Sequence, residues 1–196
     1  MPLFRIDRLS KNARLCIWQI TSSDNNLPVP NGVDLSVFGS LSRQLEKRVT
    51  YAMLRVLTGL HDLIIRHEPS GKPLVNGYNI SISHTRGWAA LVLSKSELVA
   101  VDVEYISSRV NKIASRFIRE DEQNDNQERR LINWCAKETM YKLLSGEDLE
   151  YFSMRLHPFQ LIPQGNVYID DLLTGQVVNV NYEINSSFVL TYALLS

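Results

Sequence analysis

Cysteine is scarce. Only Cys16 and Cys135 occur in 196 residues, far apart and without CxxC or Cys/His spacing. That excludes a cysteine-held metal cluster and points to two reduced structural thiols rather than a disulfide. An excess of charge of one sign is also missing: Lys+Arg and Asp+Glu both number 21, for a formal net charge of zero. There is therefore no global basic field to bind nucleic acid and no acidic tail. Long apolar runs are absent as well. "WAALVL" and "FVLTYALL" are the longest, far short of the ~20 residues a membrane-spanning helix needs. The opening "MPLFRIDRLS" has no apolar segment of the signal-peptide kind. With 44% hydrophobic residues, the composition is that of a folded soluble protein, expected in the cytoplasm, long enough for one good core or two small ones.

Along the chain, "ARLCIWQI" (13–20) reads as a strand and "TSSDNNLPVPNG" as an exposed loop. From Ser40 to Leu60 the spacing of Leu41, Leu45, Val49, Ala52, Val56 and Leu60 predicts a helix, with Ser40 as N-cap and Gly59 near its end. Arg43, Lys47, Arg48 and Arg55 make that helix basic. "NISISH" is a short strand. "GWAALVLS" and "LVAVDVEYI" are two more, and the "KSE" between them predicts a hairpin. A short helix is expected from Ser108 to about Phe117, then a charged surface stretch, "REDEQNDNQERR". The tail alternates strand-like runs with turns at Gly165, Gly175 and "NSS". A strand followed by a long helix in each half hints at two similar lobes.

"LINWCAKETMYKLL" (131–144) poses the sharpest question. On a helical wheel Leu131, Trp134, Cys135 and Tyr141 form an apolar stripe, and Glu138 and Lys142 fall within it. Lys137 points away and reads as a solvated charge. An unpaired charge in a core costs several kcal/mol or more, so such groups find partners or sit at a site. An ordinary i, i+4 Glu–Lys pair is the bland explanation.

The strand "LVAVDVEYI" places Asp102 and Glu104 on one face, because strand side chains alternate. Like charges so placed repel unless a cation lies between them. The pair reads either as a strand end reaching solvent or as oxygen ligands for a hard ion such as Mg²⁺. "GKP" (71–73) offers Gly71 for close backbone approach and Lys72 as a mobile charge suited to phosphate. His84, in "SHT", ends a strand in a polar turn, while His61, His67 and His157 read as structural. Acceptors at Asp102, Glu104 and Glu138 with donors at Lys72, His84 and Lys142 make a balanced set for Mg²⁺-assisted chemistry on a polyphosphate.

At these residues the chain resembles the 4′-phosphopantetheinyl transferases of the larger, surfactin-synthetase-activating class. The likeness is an ordered series: "GKP", "NISISHT" (79–85), "VAVDVE" (99–104), "RFIREDE" (116–122), "WCAKETMYK" (134–142) and "FSMRLHPF" (152–159). It covers about Gly71 to Phe159. The resemblance implies an α+β fold of two similar pseudo-symmetric lobes, each a small antiparallel sheet packed on a long helix, with the active site in the cleft between them. The lobes are expected at 1–85 and 86–196, the second carrying the metal-binding strand and catalytic helix.

The same resemblance implies transfer of the phosphopantetheine arm of coenzyme A to a serine of an apo carrier protein, releasing adenosine 3′,5′-bisphosphate. Asp102, Glu104 and Glu138 would hold Mg²⁺. Glu138 would take the serine proton, directly or through a water, and Lys142 would stabilise phosphoryl charge. Lys72, Pro73, Ser83 and His84 would line the coenzyme A site, and Arg48, with Arg43 and Lys47, is the candidate for its 3′-phosphate. Such enzymes are typically monomers. The chain departs from the family where "FIRE" replaces Phe-Phe-Ser, so no role carries over to Glu122. It departs again at "LLSGEDLEYF", which is acidic through Glu147, Asp148 and Glu150 and so bears on carrier choice. A coenzyme A or carrier-binding module without turnover and a Mg²⁺-dependent nucleotide hydrolase are the alternatives.

Overall fold

A computed structural model describes residues 3–145 and 149–196. The first of two compact units runs up to Val99 and includes Ser196. Its elements are β1 (Leu3–Arg8), β2 (Ala13–Gln19), α1 (Leu41–Thr58), β3 (Arg66–His67), β4 (Pro73–Leu74), β5 (Asn79–Thr85) and β6 (Trp88–Ser94). Four strands form an antiparallel sheet in the order β1-β2-β6-β5, and β3 and β4 pair separately. The β1 strand occupies the opening segment.

The expected caps hold α1. The Ser40 side chain accepts a hydrogen bond from the Arg43 amide at 3.2 Å, and Gly59 ends the helix at φ 74°, a left-handed conformation that glycine adopts without penalty. The buried face differs from the expected one. Val49, Met53, Leu54 and Leu57 are buried, whereas Leu41, Val56 and Leu60 are exposed. These buried residues pack with Cys16, Trp18 and Leu91 of the sheet in one core. The loop after β2 is also less exposed than its composition suggests. Asp24 is buried and accepts the Thr21 amide at 2.8 Å, capping a 3-10 turn over Ser22–Asn26.

The second unit, Ala100–Leu195, contains most of β7 (Leu98–Tyr105), then α2 (Arg109–Ile113), α3 (Gln127–Leu143), β8 (Met154–Leu156), β9 (Gln164–Asp171), β10 (Val177–Ile184) and β11 (Phe188–Leu195). Its sheet has the order β7-β11-β10-β9-β8. The α3 helix packs on this sheet, and Ile132, Cys135, Ala136 and Met140 share a core with Val167, Ile169, Val180 and Val189. Ile132 and Met140 are fully buried, each contributing roughly 1.5–3 kcal/mol of apolar burial.

The hairpin predicted across "KSE" does not form, because β6 and β7 belong to different sheets. The segment between them is tied back to the first unit instead. Glu97 accepts the hydroxyls of Ser94, Ser96 and Ser10, and its carbonyl accepts Asn79 Nδ2 at 2.8 Å. The hairpin that does form is β5–β6, turning through Gly87 at φ 77°. For that reason the units divide at Val99/Ala100, whereas the sequence division fell between residues 85 and 86. The described residues form a mixed α/β chain with three sheets and few helices. No helix among the described residues is long and apolar enough to cross a membrane.

Gly165 lies within β9, opposite Tyr182, and not in a turn. A Cβ at this position would come within 2.9 Å of the Tyr182 hydroxyl oxygen and 3.0 Å of its ring. The ring has little freedom to yield, since its hydroxyl donates to Gln160 O at 3.0 Å and accepts the Ile162 amide at 3.3 Å. Gly165→Ala is therefore expected to destabilise the chain by about 1–3 kcal/mol, as overpacking does. A lowered urea midpoint at unchanged slope would show it.

Candidate active site

Most of the circumference of α3 is covered. Leu131, Ile132, Asn133, Cys135, Ala136, Lys137, Thr139, Met140 and Leu143 are all buried. The accessible arc carries Trp134, Glu138 and Lys142, each half-buried, and Tyr141, which is exposed. The stripe drawn on the wheel is thus split: Leu131 and Cys135 are core residues, while Trp134, Tyr141 and the two charges lie on the open side of the helix. The buried charge is Lys137, which the sequence placed in solvent. Its side chain is 0% exposed, and Nζ donates to Phe117 O at 2.7 Å, Glu122 Oε2 at 2.9 Å and Tyr151 O at 3.2 Å. Burial pulls its pKa down, opposed by the charge of Glu122.

Glu122 therefore has a structural role. It is buried, and it accepts the Arg119 and Leu156 amides at 2.8 and 2.6 Å as well as Lys137. One carboxylate thereby joins α3 to the segments before and after it.

On the accessible arc each acid meets its own donor. Lys142 Nζ bonds Asp102 Oδ1 at 2.7 Å and the Val101 carbonyl at 3.1 Å, linking α3 to β7. The indole of Trp134 donates to Glu104 Oε1 at 3.3 Å. Tyr151, eight residues past the end of α3 in sequence, donates its hydroxyl to Glu138 Oε1. Burial pushes the Glu138 carboxyl upward; Asp102's charge adds to this, while the Tyr151 hydroxyl and Lys142 oppose it. Burial and the Glu138 contact likewise raise the Tyr151 phenol, so it keeps its proton at neutral pH. Beneath them Cys135 is raised by burial first, then by the charges of Asp102 and Glu104. Both carboxylates of β7 therefore lie within electrostatic reach of α3. A cavity of 510 Å³ opens at Glu138, lined also by Arg116, Tyr141, Leu149, Tyr151 and Phe152.

Among the described residues no three carboxylate, imidazole or thiol groups stand close enough to hold a metal ion. Asp102, Glu104 and Glu138 are brought to the same region without being drawn into one cluster. The fit to a divalent ion rests on the donor chemistry. Asp102 and Glu138 are hard oxygen ligands, close enough for the charge of one to raise the pKa of the other. Mg²⁺ typically takes only one or two protein carboxylates and completes its shell with phosphate and water. The pair fits that demand.

In the first unit, Lys72 ends the turn joining β3 to β4, where Gly71 adopts φ 89°, and Pro73 opens β4, paired with His67. Ser83 and His84 lie in the last residues of β5, before Thr85. His84 Nε2 lies 2.9 Å from Thr50 Oγ1 on α1, and that hydroxyl is 2.8 Å from its acceptor, Glu46 O. The hydroxyl has one proton, given to Glu46, so His84 Nε2 is the donor. Arg48 braces the loop after β2 through a 2.8 Å bond to Leu27 O. Lys47 stacks over Phe38 at 5.1 Å, and its charge, after burial, helps lower the pKa of His67. His67 thus neighbours the basic helix, which its isolated place in the sequence did not signal. Hollows of 320 and 820 Å³ in this unit are lined by none of Arg48, Lys72, Pro73, Ser83 or His84.

Sequence reasoning missed Tyr151, which lies outside every motif, and Lys137, whose burial depends on what covers α3. Glu150 is exposed, while Glu147 and Asp148 of the acidic loop lie outside the described residues. No curated protein matches the chain. Residues 98–193, the stretch bearing Asp102, Glu104, Glu138 and Lys142, match the family model of the 4'-phosphopantetheinyl transferase superfamily, so this part of the chain is similar to that superfamily.

Proposed function

We propose that this protein transfers the 4′-phosphopantetheine arm of coenzyme A to a serine hydroxyl of an apo carrier protein, releasing adenosine 3′,5′-bisphosphate. The observation that carries it is the convergence of β7 and α3, with Lys142 on Asp102 and Glu138 within reach of Asp102's charge. Glu138 accepts the proton of the attacking serine. Lys142 supplies positive charge beside the phosphoryl group that is transferred. Asp102 and Glu138, with Glu104 on the same strand, would hold Mg²⁺, which neutralises pyrophosphate charge when bound. Lys72, Pro73, Ser83, His84 and Arg48 bind the coenzyme A. A sheet and a long helix in each unit support the larger, surfactin-synthetase-activating class. Two buried free thiols suit a reducing compartment such as the cytoplasm, and a monomer is the proposed state.

A binding module without turnover is the second reading, favoured by the Lys142–Asp102 pair, which already occupies one of the oxygens a metal would use. The test separates the two. Full-length protein is mixed with coenzyme A, Mg²⁺ and a panel of apo carriers, and the carriers are weighed by mass spectrometry. A gain of one phosphopantetheine on a carrier is expected. Coenzyme A binding with no mass gain across the panel would favour the module, and nucleotide release without any acceptor would favour a hydrolase. Chelation with EDTA is expected to abolish the gain and excess Mg²⁺ to restore it. Undiminished transfer in EDTA would remove the metal from the proposal.

A further inference from the structure

The two oxygens of Glu138 are not equivalent. Oε1 accepts the hydroxyl of Tyr151, and among the described residues no donor reaches Oε2. Tyr151 is itself held at several points. Its ring lies against Trp134 at 5.3 Å and 32°, and edge-on to Phe117 at 6.5 Å and 66°. Its carbonyl accepts the buried ammonium of Lys137 at 3.2 Å. A hydroxyl on a ring so fixed is a preset donor. A glutamate on the open side of a helix would otherwise sample several rotamers, at an entropic cost each time one is required.

We propose that Tyr151 is a positioning residue, fixing the Glu138 carboxylate through Oε1 so that Oε2 is the oxygen presented to the acceptor hydroxyl. In that step the serine O–H bond breaks and its proton passes to Oε2. The serine oxygen bonds to the phosphorus bearing the pantetheine arm, and the bond from that phosphorus to the bridging oxygen breaks, the electron pair leaving with adenosine 3′,5′-bisphosphate. The inference rests on Glu138 as the proton acceptor. It also gives a role to the "LLSGEDLEYF" segment, where the chain departs from its family.

The test is Tyr151→Phe in the full chain, with kcat, the KM for coenzyme A, the KM for the carrier and the urea midpoint all measured. Phenylalanine keeps the ring packing and removes only the hydroxyl. The expected result is a fall in kcat of about ten- to a hundredfold, the worth of one hydrogen bond to a charged group, with both KM values and the midpoint unmoved. Tyr151→His, which restores a ring donor, should recover part of the loss. Wild-type or increased kcat in Tyr151→Phe would overturn the proposal. So would a loss of kcat accompanied by a matching fall in midpoint or rise in KM, since that is what packing alone predicts. If Glu138→Gln were inactive while Tyr151→Phe kept full activity, only this inference would fail. Full activity in Glu138→Gln would remove the function reading beneath it.

Discussion

Lys137→Ala is expected to destabilise the protein by about 3–5 kcal/mol, the usual cost of removing one partner from a buried ion pair. The substitution leaves the Glu122 carboxylate buried with two backbone amides and no cation, and it strips the carbonyls of Phe117 and Tyr151 of their shared donor. Global stabilities are only about 5–15 kcal/mol, so this is a large share of the total. Urea unfolding of the full chain measures it. A companion double variant, Lys137→Met with Glu122→Leu, separates the causes. Replacing both charges by apolar groups of similar volume is often close to neutral. Recovery of most of the loss would assign the penalty to the stranded carboxylate, and continued loss would assign it to the backbone groups the pair serves, the carbonyls of Phe117 and Tyr151 and the amides of Arg119 and Leu156. A single-variant midpoint close to wild type would show that the pair is dispensable.

Glu138→Gln is expected to cut transfer by about 10²–10⁴-fold, the range for removing a general base. The amide keeps the shape of the side chain and still offers Oε1 to Tyr151, so the unfolding midpoint should not fall. The loss is then chemical: the residue no longer accepts a proton and no longer offers an anionic oxygen to a cation. The result to check is single-turnover transfer to a carrier that the wild type modifies. Full activity in this variant would end the assignment of Glu138.

How far the site was legible depended on what each inference needed. That Asp102, Glu138 and Lys142 come to one region was readable, because the order of the motifs brings one strand and one helix together. The caps of α1 were readable because Ser40 and Gly59 act within a few residues. The inferences that failed required knowledge of neighbours. The wheel assumes a helix with one wet face, and from Leu131 onward α3 is open only along the arc of Trp134, Glu138, Tyr141 and Lys142, so Lys137 could not be assigned from its angle. The apolar period of α1 gave a phase, yet Leu41 is exposed at 80% while Tyr51 is at 7%. Periodicity does not say which turns of a helix are covered. "KSE" has the length of a hairpin turn, but the serine hydroxyls around Glu97 fold it back and send β7 to another sheet.

That strand's new neighbour has a cost in time. β7 takes its place beside β11, at the far end of the unit's sequence. Pairings this distant must wait for the intervening chain to organise, and closing such long loops slows folding. Most of the hydrophobic nucleus between α3 and the β9–β10 ribbon can gather earlier from nearer contacts. The carboxylate of Asp102 is therefore expected to be set into register late, after α3 has already gathered against the β9–β10 ribbon.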